Sequence, residues 1–226
     1  MTKIHTQRQI VLAQIAQAAR AAERSAAEIT LLTVTKTHPP AVLRAAFEAG
    51  LKCFGENYLQ EALDKIQALC DLDIEWHFIG PLQSNKTQPV AQHFAWVHSI
   101  DRLKIAQRLS TQRPANLPPL NVCLQLNISG ESTKSGVSLS ELSALAHAVA
   151  RLPNLKLRGL MAMPEPTIDS TLLAQRFASV REARDVLNTE GLALDTLSMG
   201  MSADLAIAIA QGSTLVRVGT ALLGQR

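Results

Sequence analysis

Long apolar runs, clustered charge and cysteine motifs are all missing from this sequence. No stretch approaches the roughly 18 apolar residues of a membrane-spanning helix, so we expect no membrane segment. The first twenty residues lack the apolar core and cleavage site of a secretion signal. The 22 Lys and Arg residues balance 19 Asp and Glu, without a basic block or interleaved aromatics. We therefore expect no nucleic-acid partner.

The three cysteines, Cys53, Cys70 and Cys123, are odd in number and match no zinc or redox spacing. Cys53 and Cys123 lie in apolar runs typical of strands, which predicts buried, reduced thiols. His77 has no second histidine, cysteine or carboxylate at metal-binding spacing in the sequence, so we expect no metal site. Reduced thiols and the missing secretion signal together predict a cytoplasmic protein.

Short apolar, β-branched runs alternate with helical patterns along the whole chain. After a leading helix from about Ile4 to Arg24, eight runs predict parallel strands that are covered on both faces. The α/β class follows, and eight repeats predict one domain over residues 1–226, a single (β/α)8 TIM-type barrel with an extra N-terminal helix. An open doubly wound sheet is the alternative, but no G-x-G-x-x-G follows the first strand. The predicted strands are Thr30–Thr35, Lys52–Gly55, Glu75–Ile79, Trp96–Ser99, Leu120–Asn127, Leu155–Met161, Thr196–Met199 and Leu215–Val218.

Lys36 follows the first of these apolar runs directly. Active sites of such barrels lie at the C-terminal ends of the strands, so its amine is predicted to face the barrel mouth. Low-polarity walls lower the pKa of a lysine, and the neutral amine is the nucleophile that forms imines. Alone, the position is more typical of a solvated lysine at a strand end.

Glycine-containing loops follow the last two predicted strands, where barrels often bind phosphate. The first loop carries Ser202 at the start of a predicted helix, where backbone N–H groups attract anions. Ser202 could equally be a simple helix cap. The second loop carries Gly219 and Thr220. Together, the two loops predict a phosphate site.

Three further polar residues have two interpretations each. Arg217 interrupts an apolar strand and needs a partner, either an ion pair inside the barrel or a ligand ring or phosphate. His77 could be a satisfied core histidine or a ligand contact. Asn57 could cap the helix after it or hydrogen-bond a ligand through its side-chain amide.

Taken together, these residues resemble one family, the pyridoxal phosphate homeostasis proteins, which are small relatives of the alanine racemase barrel. The resemblance runs in order along nearly the whole chain. The segments that carry it are Thr33-Val34-Thr35-Lys36-Thr37, Phe54-Gly55-Glu56-Asn57-Tyr58-Leu59-Gln60-Glu61, Trp76-His77-Phe78-Ile79-Gly80-Pro81-Leu82-Gln83-Ser84-Asn85-Lys86, Gln125-Leu126-Asn127-Ile128, Lys134-Ser135-Gly136, Gly159-Leu160-Met161-Ala162-Met163-Pro164, Leu197-Ser198-Met199-Gly200-Met201-Ser202 and Val216-Arg217-Val218-Gly219-Thr220.

The resemblance implies that the barrel binds pyridoxal 5′-phosphate (PLP) as a Schiff base on Lys36. It implies that Arg217 faces the pyridine nitrogen, that Asn57 and His77 contact the ring, and that three residues hold the phosphate, namely Ser202, Gly219 and Thr220. The departures are Thr35, where the family often has serine, His38, where a second basic residue is common, and Pro40, which follows Pro39. If a second lysine relays PLP, Lys134 is the candidate.

The same resemblance implies a non-catalytic protein that holds or delivers PLP in the cell, with PLP-dependent apo-enzymes as possible recipients. Few residues follow the last predicted strand, and Tyr58 is the only tyrosine. We therefore expect no second domain that supplies a racemase base and no catalytic residue. We expect a monomer, because the sequence shows no large apolar surplus. A PLP-dependent racemase or lyase is the alternative. A cofactor-free Schiff-base aldolase is a third possibility, because fold alone does not separate these activities.

Overall fold

The computed structural model describes residues 3–128 and 135–225. Its strands form one closed, all-parallel barrel in which each strand pairs with its neighbours in chain order and the last pairs with the first. Such a sheet is buried on both faces, which explains the continuous apolar runs in the sequence. The strands are β1 (Thr30–Val34), β2 (Cys53–Glu56), β3 (Glu75–Phe78), β4 (Trp96–Ile100), β5 (Leu120–Leu126), β6 (Leu155–Ala162), β7 (Thr196–Met201) and β8 (Leu215–Val218).

Helices connect consecutive strands and cover the outside of the barrel. Two conventional start signals are seen: a proline opens the second helix, and the Asp169 carboxylate accepts from two backbone N–H groups before the seventh. The helices are α1 (Lys3–Ala21), α2 (Pro40–Glu48), α3 (Leu59–Ala68), α4 (Thr87–His93), α5 (Leu103–Gln112), α6 (Leu139–Ala150), α7 (Ser170–Thr189), α8 (Leu205–Ala210) and α9 (Thr220–Leu223).

The predicted barrel and its additional N-terminal helix are confirmed. Helix α1 precedes the first strand, buries Val11, Ile15 and Ala19, and packs against α8 and α9. The main difference from the sequence prediction is α9, which begins where only a glycine loop was expected. Within residues 3–128 and 135–225, no helix combines the length and apolar character that a membrane crossing requires.

The core has two layers. A large apolar cluster fills the space between the sheet and the helices. A smaller cluster, formed by Trp96, Cys123 and Met161, lies inside the barrel, because alternate residues of a strand point to opposite faces. This inner cluster separates two cavities, one at each end of the barrel.

Candidate functional site

The larger cavity lies at the C-terminal ends of the strands and has a volume of about 480 Å³. That volume falls in the roughly 300–1,000 Å³ range of small-molecule sites. Its walls combine apolar side chains with a few polar groups. Among the described residues, the polar and charged ones in the lining are Lys36, Asn57, Gln125, Asn127, Ser135, Glu165 and Arg217. Three residues predicted from the sequence, Lys36, Asn57 and Arg217, therefore meet in one cavity. The first two follow β1 and β2, and the third lies on β8.

Lys36 lies in a turn two residues after the end of β1, and both of its neighbours are held by side chains from α3. The Lys65 ammonium donates to the carbonyl oxygen of Thr35 at 2.7 Å. The Glu61 carboxylate accepts from the backbone N–H of Thr37, which has the unusual positive φ of 65°. Lys65 and Glu61 also pair with each other, so the turn carrying Lys36 is fixed on both sides.

The Lys65 ammonium is only 3% exposed and also bonds Glu56 at 2.7 Å, whose side chain is fully buried. Burial raises the pKa of the Glu56 carboxyl, while hydrogen bonds from Lys65 and from the Thr35 hydroxyl act in the opposite direction. Glu56 Oε2 has no hydrogen-bond partner within the described part of the chain. Such a buried network is costly to break, because removing one partner leaves an uncompensated charge.

Arg217 is a buried cation inside the barrel, only 5% exposed. Its guanidinium donates to the carbonyl oxygen of Ser198 at 2.6 Å, to the Ser198 hydroxyl at 2.8 Å and to the carbonyl oxygen of Ala162 at 2.9 Å. Burial lowers the pKa of Arg217 to about 10, so the group remains protonated at neutral pH. The arginine therefore presents a fixed positive charge to the cavity that it lines.

Asn57 also lines the cavity, immediately after β2. Its Oδ1 atom is buried and has no hydrogen-bond partner among the described residues. No side-chain cap is formed at the start of α3, whose preceding residue is Tyr58, so the capping interpretation of Asn57 is not realised. A buried acceptor without a partner costs free energy, and a ligand donor would satisfy it.

The three residues predicted to hold phosphate lie in the loops after β7 and β8 but not in the lining of the cavity. Ser202 is exposed in the turn before α8, and Gly219 and Thr220 form the start of α9. Their strands do reach the cavity, through Met201 on β7 and Arg217 on β8. The Met201 N–H is already bonded to the Asp204 carboxylate, so it is not free to bind an anion.

Gly219 has a further constraint, since a side chain there would crowd the end of β1. A Cβ atom at this position would lie 3.2 Å from the carbonyl oxygen of Val34. Contacts this short are tighter than most that Cβ atoms make in folded proteins. The glycine therefore lets the loop after β8 approach the strand that leads to Lys36.

His77 is not brought to the mouth cavity. It lines the smaller cavity of about 260 Å³ at the opposite, N-terminal end of the barrel. Its ring stacks on Trp96 and bonds Glu75 and His98, each at 2.9 Å. Burial lowers the pKa of His77 and lowers that of His98 still further, so both imidazoles are neutral at pH 7. The interpretation as a satisfied core histidine fits this geometry, and the expected contact with a ligand at the mouth does not.

His98 was missed by the sequence reasoning. It interrupts the buried strand Trp96-Val97-His98-Ser99-Ile100, and a polar residue in such a run is a usable signal. The imidazole bonds the Ser198 hydroxyl at 2.8 Å across the barrel interior. The sequence separation of the two residues hides this contact until the barrel closes.

The sequence analysis found no metal-binding residue near His77, and this premise was wrong. Ligand atoms of Cys53, Glu75 and His77 all lie within 4.8 Å of one another, because β2 and β3 pair in register there. Glu75 is already bonded to both other side chains. Burial raises the pKa of the Cys53 thiol to about 12, so it is protonated at neutral pH. The absence of a metal site stays a prediction.

The remaining sequence predictions concern thiols and relay residues. Cys123 is buried as expected, whereas Cys53 is half-buried and Cys70 is exposed, and all three are free thiols. His38 is buried. Lys134, the candidate relay lysine, lies outside the described residues.

Comparisons with known proteins agree with this geometry. A family model described as the N-terminal domain of alanine racemase matches residues 10–226. A protein of Pseudomonas aeruginosa named pyridoxal phosphate homeostasis protein is 62% identical over 216 residues, which cover 96% of this chain and 93% of that protein. Its Escherichia coli K12 counterpart, with the same name, is 53% identical over 216 residues, with coverage of 94% and 92%.

Solved structures give the same result. The structure of PipY from Synechococcus elongatus with PLP bound has a TM-score of 0.83 and 36% identity, covering 93% of this chain and all of that one. Alanine racemase from Corynebacterium glutamicum shares the fold at a TM-score of 0.71 and 18% identity, covering 95% and 62%. The resemblance found in the sequence is confirmed: the chain belongs to the alanine racemase N-terminal domain family, among the relatives named pyridoxal phosphate homeostasis protein.

Proposed function

We propose that this protein binds PLP covalently through Lys36 and takes part in intracellular PLP homeostasis without catalytic turnover. The observation that carries the proposal is the meeting of Lys36, Arg217 and the unpartnered Asn57 acceptor in one cavity of suitable size. The names of the relatives and the PLP-bound PipY structure support it. We further propose that one domain, residues 1–226, carries this function.

Each proposed contact follows from the chemistry of the side chain. PLP supplies an aldehyde that condenses with a primary amine and a ring that withdraws electrons. The Lys36 amine forms the covalent bond, and the Asn57 amide contacts the ring side. Ser202, Gly219 and Thr220 hold the phosphate in the loops after β7 and β8, the usual phosphate position of this fold. His77 is removed from the proposed contacts, since it lines the cavity at the other end.

In this proposal, Arg217 is the residue that explains why the protein binds PLP without catalytic turnover. Its fixed positive charge faces the pyridine nitrogen and disfavours a proton on that atom. A neutral pyridine is a weaker electron sink than a pyridinium, so carbanion chemistry at a bound amino acid is stabilised less. The three hydrogen bonds of the guanidinium keep that charge in place.

The alternative is a PLP-dependent amino-acid racemase or lyase, which needs acid–base groups beside the cofactor. Among the described lining residues, the ionisable side chains are Lys36, Glu165 and Arg217. Tyr58 is 55% exposed and is not one of the described lining residues. The Glu165 carboxylate lies 3.7 Å from Arg176, so it is held by a partner. Glu165 is therefore the residue on which a catalytic alternative would depend.

The proposal extends to partners and location. Large apolar side chains are exposed around the mouth, among them Tyr58, Met163 and Met201, and apolar rims of this kind suit docking of another protein. We propose PLP-dependent apo-enzymes as those partners and the monomer as the resting state. Three free thiols support a reducing, cytoplasmic location.

The experiment is a comparison of PLP uptake with amino-acid turnover. Purified protein is loaded with PLP, its visible spectrum is recorded, and amino acids are then added in deuterated buffer. We expect PLP-dependent absorption in the wild type and none in Lys36→Ala, with Lys52→Ala as the matched control at the far end of the barrel. Rapid exchange of the α-proton would overturn the non-catalytic half, and a colourless wild type would overturn the PLP half.

A further inference from the structure

A continuous row of hydrogen bonds runs through the barrel interior from one end to the other. Glu75 Oε1 lies 2.9 Å from His77 Nε2, and His77 Nδ1 lies 2.9 Å from His98 Nε2. His98 Nδ1 lies 2.8 Å from the Ser198 hydroxyl, which lies 2.8 Å from the Arg217 guanidinium. The three middle members are each no more than 3% exposed in solvent, while Glu75 is half-exposed at the N-terminal end. We call these five residues the Glu75–Arg217 chain.

The proton positions in this chain follow from its two ends. The hydrogen bond with His77 lowers the pKa of Glu75, so its carboxylate is ionised and only accepts. His77 must then carry its proton on Nε2 and accept on Nδ1, which requires His98 to carry its proton on Nε2 as well. His98 Nδ1 accepts from the Ser198 hydroxyl.

The opposite end gives the same answer independently. The Arg217 guanidinium has no acceptor, so it must donate to the Ser198 oxygen. The single hydroxyl proton of Ser198 is then directed to its other partner, His98 Nδ1. Each end permits only one direction of hydrogen-bond donation, and the two directions agree. In the resulting arrangement every donor between the Glu75 anion and the Arg217 cation is used.

We propose that Glu75, His77, His98 and Ser198 are positioning residues that hold Arg217 in one orientation towards the bound cofactor, through a chain whose two histidines are both protonated on Nε2. The cofactor half of this inference rests on the proposed function, and the proton arrangement does not. Hydrogen bonds in a low-dielectric interior polarise one another, so the ionised carboxylate at one end strengthens the hold on the guanidinium at the other.

The Cys53, Glu75 and His77 group offers a competing explanation for the same atoms, namely a metal ion. A metal would occupy the Nε2 lone pair of His77 and place that ring's proton on Nδ1. His77 would then donate to His98, and the row would run in the reverse direction at this point. The position of one proton therefore distinguishes the two arrangements.

The first arm of the test uses the protein of residues 1–226 without added PLP. Imidazole nitrogen NMR at neutral pH, with His77→Gln and His98→Asn used only to assign signals, reports which nitrogen of each ring is protonated. We expect Nε2–H at both residues. A proton on Nδ1 of His77 overturns the proposed Glu75–Arg217 chain. If that proton position is seen only after zinc is added, the metal arrangement replaces the Glu75–Arg217 chain.

The second arm tests the hold on Arg217 through bound PLP. Ser198→Ala removes the last link, and we expect about tenfold weaker PLP binding and a shifted visible absorption maximum. Ser198→Thr keeps the hydroxyl and should restore both. Ser110→Ala, a buried serine on α5 bonded to the carbonyl oxygen of Pro153, is the matched control.

The two arms separate the possible failures. An unchanged affinity and spectrum in folded Ser198→Ala would overturn the positioning role. If the wild type takes up no PLP at all, the proposed function fails, while the NMR arm still decides the proton arrangement.

Discussion

The Lys65 ammonium lies 2.7 Å from the carbonyl oxygen of Thr35, the residue immediately before Lys36. The same ammonium pairs with Glu56 and Glu61, so one buried cation links helix α3 to the end of β1. The position of Lys36 at the mouth therefore depends on charges that do not themselves line the cavity.

Replacement of Lys65 should be strongly destabilising. Lys65→Met leaves the fully buried Glu56 carboxylate without its cation, and breaking a buried pair costs about 3–5 kcal/mol. Urea unfolding measures this loss. Lys52→Met, on an exposed lysine, is the control and should change the free energy of unfolding little. A Glu56→Gln/Lys65→Met double variant should recover part of the loss, because no charge is left buried alone. A single Lys65→Met variant as stable as the wild type would contradict this account.

Asn57 should matter for binding but not for stability. Its buried Oδ1 has no partner among the described residues, so Asn57→Ala removes an unsatisfied acceptor and should not lower the melting temperature. PLP affinity, measured by titration of the visible absorbance, should fall about tenfold with loss of one ligand hydrogen bond. Asn116→Ala, in an exposed loop, should leave both values at wild type. A stability loss with unchanged affinity would indicate a purely structural residue.

Acidification below pH 6.5 should lower the free energy of unfolding through His77 and His98. Burial lowers the pKa of both in the folded state, so only the unfolded chain takes up these protons just below its pKa of 6.5. Each histidine that stays neutral in the folded state therefore lowers the free energy of unfolding by about 1.4 kcal/mol for each pH unit below 6.5. This stability returns as the pH rises again. Beside this effect of burial, the ionised Glu75 raises the pKa of His77, and the Arg217 cation lowers the pKa of His98.

The comparison between variants isolates this effect. Burial raises the pKa of Glu56, which contributes in the opposite sense as the pH falls. His98→Asn should flatten the dependence of unfolding free energy on pH between 7 and 5, and His93→Gln, at an exposed position, should not. Equal slopes in all three proteins would show that His98 is protonated equally in folded and unfolded chains.

Glu165 provides the test of catalytic competence. It is the carboxylate among the described lining residues, and a racemase or lyase would need it as an acid or base. We expect Glu165→Gln to leave PLP uptake unchanged and the wild type to show no α-proton exchange above free PLP. Exchange in the wild type that disappears in Glu165→Gln would establish the catalytic alternative.

Much of this molecule could be predicted from its sequence, because local patterns determine strands and helices in a parallel barrel. Every predicted strand is present, and the strand β8 matches Leu215–Val218 to the residue. Lys36, Asn57 and Arg217 meet at the mouth because strand ends converge there whatever the details of packing.

The contacts inside the barrel could not be predicted in the same way. His77, His98 and Ser198 lie on β3, β4 and β7, and their contacts depend on strand register and closure. The sequence also showed no role for Lys65, although its spacing of four from Glu61 is that of a helical ion pair. What was missed therefore came from long-range geometry and buried charge.

The central claim is that Lys36 holds PLP, and borohydride trapping tests it most directly. PLP-loaded wild-type protein is reduced, digested and mapped by mass spectrometry, with Lys36→Ala treated in parallel. The account predicts one reduced PLP adduct, on the peptide that contains Lys36, and none at that site in the variant, which should remain folded. An adduct on another lysine, or none on the wild type, would contradict it.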